Sequence, residues 1–93
     1  MPATVSPLHA GSLARPTVNL NGTSASALLA GYVKALEALQ LATEAVQQTQ
    51  PHGRDYQTLE PAAFTEAALQ HRQRLYALAT VRDELQALAE HVA

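Results

Sequence analysis

The sequence predicts an all-α protein: an antiparallel helical hairpin of two long helices with an extended N-terminal segment, assembled into an oligomeric bundle. Three observations carry that expectation. Two amphipathic stretches, about 24–49 and 61–92, run without an internal breaker of the helical pattern. A polar connector fenced by Pro51 and Pro61 separates them, and at about ten residues it reaches the upper end of what joins adjacent antiparallel helices. The apolar fraction is 47% of 93 residues, yet aromatics are only 4%. A core built mostly of alanine and leucine on two helices is thin, and further copies of the chain are the simplest way to close it.

The elements follow in order. Residues 1–15 read as a flexible arm, since residues 1–16 hold three of the five prolines together with Ser, Gly and Thr. Residues 16–93 form the hairpin domain. Residues 17–21, Thr-Val-Asn-Leu-Asn, alternate in polarity and read as a single extended strip. Asn21-Gly22-Thr23-Ser24 reads as a turn into a helix, with the Thr23 or Ser24 hydroxyl accepting from a free N–H of the first helical turn.

In the first helix Leu29, Tyr32, Leu36, Leu39 and Val46 share a face, Thr43 fills the gap, and Leu28 and Val33 widen the stripe. Gly31 is expected to mark a close helix approach. Gln50, the residue before Pro51, is the expected boundary, because a proline disfavours helical angles in the residue before it. Pro61 opens the second helix, where its missing N–H would have no partner anyway. There Phe64, Ala68, His71, Leu75, Leu78, Leu85 and Val92 share a face, flanked by Val81 and Leu88.

Composition narrows the function classes. The net charge of -2 and the absence of a basic stripe argue against general nucleic-acid binding. No apolar run approaches the roughly 20 residues of a membrane span, and the N-terminus, broken early by Pro7, does not read as a secretory signal. There is no cysteine, so disulfides and thiolate metal sites are excluded and a cytoplasmic setting fits. His9, His52, His71 and His91 show no metal-ligand spacing, so no metal and no cofactor is expected. No nucleophile elbow or phosphate-cradling glycine loop is present, and no enzymatic activity is expected.

The connector carries the densest chemistry. His52 and Arg54 offer donors to a phosphate or carboxylate. Asp55 can orient Arg54 or accept from a sugar hydroxyl, Tyr56 can stack on a flat ring, and Gly53 permits close backbone approach. The competing account is structural: Arg54 and Asp55 pair with neighbouring helix ends, Gly53 supplies a positive φ, and Tyr56 covers the end of the bundle. His71 on the apolar face is either a ligand-contacting group or, by the more ordinary reading, a core-edge histidine with one satisfied nitrogen. The alanines at 35, 38, 42 and 45 could form a flat partner-binding surface, and by the more ordinary reading they are tight helix contacts or good helix formers.

From Pro16 onward the sequence resembles small uncharacterised proteins carried by bacterial phages and prophages. The resemblance rests on Asn21-Gly22-Thr23-Ser24 and on His52-Gly53-Arg54-Asp55-Tyr56. It implies a bacterial host cytoplasm, but no settled activity and no functional residue. In that setting the expected function is counter-defence: sequestration of a small anionic, nucleotide-like ligand such as a cyclic nucleotide, through the interhelical loop of a homo-oligomer. The alternatives are a protein-interaction module that inhibits a host defence complex and a phage structural or assembly protein.

Overall fold

The computed structural model describes residues 13–19, 21–58 and 60–93. They form two helices, α1 (Ala25–Gln47) and α2 (Pro61–Val92), joined through a short 3-10 turn at Gly53–Tyr56. No strand occurs among the described residues. The proposed arm at 1–15 lies outside them up to residue 12, as does Leu20 in the expected strip. Residues 13–19 have no regular secondary structure.

The helices pack on each other in antiparallel register. Gln47 at the end of α1 and Gln50 just beyond it face Phe64 to Leu75 of α2, and Leu39 and Thr43 face Leu75 to Arg82. At 32 residues, α2 is about 48 Å long and overruns α1. The segment before α1 lies beside this overhang. Leu13 sits near Tyr76 and Ala87, and Pro16 O is 3.0 Å from His91 Nε2. A carbonyl only accepts, so Nε2 carries the proton.

Local chemistry explains each boundary. Asn19 Oδ1 accepts from the Asn21 N–H at 3.0 Å, and Asn19 O accepts from the Gly22 N–H at 3.2 Å. A Cβ on Gly22 would stand 3.2 Å from Asn19 Oδ1, so a side chain there would crowd this turn. Ser24 is the N-cap of α1, its Oγ accepting from the Ala27 N–H at 3.2 Å. Replacing Ser24 with alanine should cost about 1 kcal/mol, readable as a lower denaturation midpoint in urea.

The end of α1 comes before the expected Gln50. Val46 O accepts both the Thr49 N–H at 2.9 Å and the Thr49 hydroxyl at 2.7 Å, and these bonds close the last turn at Gln47. Pro61 is the first residue of α2, with Glu60 O accepting from the Ala63 N–H at 2.9 Å. Glu60 makes no side-chain cap.

Most residues of the expected stripes are half-buried or buried, with corrections. Val33 and Phe64 remain 43% and 38% exposed, Ala38, Ala42 and Ala45 are exposed rather than in tight helix contact, and Ala89 is buried. Gly31 is not a close approach, because a Cβ there meets nothing within 4 Å. Its substitution by alanine should therefore stabilise α1 by about 1 kcal/mol, raising Tm by roughly 4–8 °C. Gly53 also faces open space, and its φ lies outside the left-handed region.

The interior is sparse. Ala89, Val92 and His71 are the buried residues of α2, and α1 has none. No large side chain among the described residues is completely enclosed. Leu41 and Tyr76 are 68% and 57% exposed. Arg82 and Asp83 form an exposed ion pair at 3.1 Å, an arrangement that contributes little to stability. No helix among the described residues is long and apolar enough to cross a membrane.

Candidate ligand-binding site at the loop end of the hairpin

The connector leaves α1 through Pro51 and an extended His52 (φ -117°, ψ 139°), then winds into the 3-10 turn. The Asp55 N–H donates to His52 O at 3.0 Å, closing that turn. A 3-10 helix has about three residues per turn. Arg54, Asp55 and Tyr56 therefore leave the backbone in three directions and do not converge within one chain.

His52, Arg54 and Asp55 are exposed. Among the described residues none of these three side chains forms a hydrogen bond or an ion pair, so the expected pairing of Arg54 and Asp55 with helix ends is not present. Tyr56 is half-buried, and its ring stands 6.0 Å from that of Phe64 at 53°. A tilted aromatic pair of this kind contributes about 0.5–1.5 kcal/mol beyond its burial. This contact holds the turn against the start of α2.

Beside the loop lies a cleft of about 320 Å³ between the end of α1 and the first turns of α2. Pro51 belongs to its rim. Gln47 and Gln50 come from the α1 side; Phe64, His71, Arg72 and Leu75 come from α2. Phe64, Ala68, His71 and Leu75 reach it because successive members sit three or four residues apart along one helical face.

His71 is only 6% exposed. Its Nδ1 is buried without a hydrogen-bond partner, alone in this among described side-chain atoms. Nδ1 has no partner, whereas Nε2 is not among the buried unsatisfied atoms; no hydrogen bond from another described residue reaches either nitrogen. Arg72 is exposed and forms no ion pair there. The sequence flagged His71 by its apolar face and Arg72 by adjacency. It did not flag Gln47 and Gln50, whose approach to α2 depends on the path of the connector.

No group of His, Asp or Glu among the described residues is arranged to hold a metal ion. Compared with protein-family models, curated proteins and solved structures, the chain shows no match.

Proposed function

We propose that this chain is a non-enzymatic, self-associating binding protein that captures a small anionic, nucleotide-like ligand at the loop end of the hairpin. One observation carries the reading. Unpaired cationic and polar groups (His52 and Arg54 on the turn, His71 and Arg72 in the adjoining cleft) gather at one end of an otherwise plain pair of helices. Guanidinium groups without carboxylate partners are free to take a phosphate or carboxylate in charge-assisted hydrogen bonds.

Self-association belongs to the same reading. Arg54, Asp55 and Tyr56 diverge within one turn, so a ligand gripped by several of them needs loops from more than one copy. The exposed apolar side chains of α1 and α2 supply the area for such an assembly. The sequence resemblance adds the setting, a phage or prophage protein acting against a host defence signal in the bacterial cytoplasm.

Titration calorimetry against cyclic di- and trinucleotides tests the function. Heat with at least one member, reduced about tenfold or more in affinity by Arg54→Ala, is the expected result. No heat with any member from a folded sample overturns it. The second reading, a module docking on a host defence protein, is favoured by the apolar strip around Val33 and Leu41. A purified partner whose binding is lost with Leu41→Glu while that variant keeps its mass and helical content, and is unaffected by Arg54→Ala, would select it.

A further inference from the structure

Resting on the anion-binding reading, the geometry points to a more specific site: we infer that the cleft between Pro51 and His71 takes one flat ring bearing one anionic group. Arg72 grips the anion, and the amides of Gln47 and Gln50 supply both donors and acceptors to its neighbouring polar atoms. Phe64 and Leu75 form the apolar wall for the ring.

Size selects the ligand class. At about 320 Å³ the cleft lies at the small end of the roughly 300–1,000 Å³ typical of small-molecule sites. That suits a single nucleotide unit or an aromatic carboxylate. A ligand with two such units then spans the clefts of two copies. Chemistry supports the same conclusion independently. A residue that contributes to the cleft, His71, holds a buried nitrogen with no partner in the folded chain. Buried polar atoms are normally hydrogen-bonded; Nδ1 has almost no accessible surface, so a ligand in the cleft reaches it only when the ring turns to bring Nδ1 toward that space.

The probes are benzoate, adenosine 5′-monophosphate and inorganic phosphate, each titrated into the full chain by calorimetry and followed by NMR shifts of the Gln47 and Gln50 side-chain amides. Benzoate or the nucleotide should bind, and more tightly than phosphate alone. Arg72→Gln should weaken that binding about tenfold or more, with Arg74→Gln, outside the cleft, changing it by less than about twofold. Binding by neither ringed probe, or binding indifferent to Arg72→Gln, overturns the inference. Cyclic-nucleotide binding that depends on Arg54 but not on Arg72 also overturns it, while leaving the broader reading standing. Arg72-dependent binding of a ringed probe, with no cyclic nucleotide bound, supports the cleft and removes the broader reading.

Discussion

Replacing His71 with leucine is expected to stabilise the unliganded protein by about 1–3 kcal/mol, although His71 is among the most buried residues of the chain. The sign is unusual for a buried position and follows from a single atom. Nδ1 is removed from water and receives no hydrogen bond in return, so the folded state bears its desolvation cost. Leucine of similar volume keeps the contacts with the cleft walls and removes that cost. His71→Ala should act in the opposite direction, because it also removes packing and enlarges the cleft. Thermal unfolding of both variants decides the matter. A rise of roughly 4–8 °C per kcal/mol is expected for leucine; a fall would mean that Nδ1 has a partner in solution. The same leucine variant should lose affinity for a ringed anion while gaining stability, which separates a ligand-binding role from a structural one.

The second large effect is expected at Leu41. In the single chain Leu41 is 68% exposed, and a surface substitution of this kind ordinarily changes stability by no more than about 0.5 kcal/mol. In an assembly that covers the strip formed by Val33, Leu36 and Leu41, Leu41→Glu places a carboxylate in an apolar interface, at a cost of several kcal/mol. The expected outcome is dissociation, followed by loss of helical circular dichroism as the chains separate. A variant with unchanged mass and unchanged stability would place the interface elsewhere on the hairpin.

Some of this structure was legible in the sequence, for identifiable reasons. Pro61 starts α2 where the missing N–H predicts it, and Ser24 caps α1 as its hydroxyl predicts. The apolar spacing of three and four located the packed faces. The misses have specific causes. The Pro51 rule puts the end of α1 too late, because the Thr49 hydroxyl competes for Val46 O, a local bond that the rule does not include. Gly31 and Gly53 suggested close approach or a special backbone angle, whereas both face open space. Phe64 was assigned to the packed face yet stays partly exposed beside Tyr56, since the turn shields only one side of its ring.

The candidate site divides in the same way. His52, Arg54, Asp55 and Tyr56 were visible as a concentration of chemistry, but their divergence follows from a 3-10 turn whose helical sense the residue types do not specify. The cleft was not legible, because it exists only where the connector brings Gln47 and Gln50 across to His71 and Arg72. The missing partner of Nδ1 is likewise a property of packing, not of spacing.

On the proposed reading this hairpin is complete only as an assembly, whose copies cover the apolar strips and bring the loop ends together. Light scattering of the purified chain at micromolar concentration, coupled to size exclusion, measures it directly. The expected mass is at least twice that of the 9.9 kDa chain. A folded, cooperatively melting species at 9.9 kDa would contradict it.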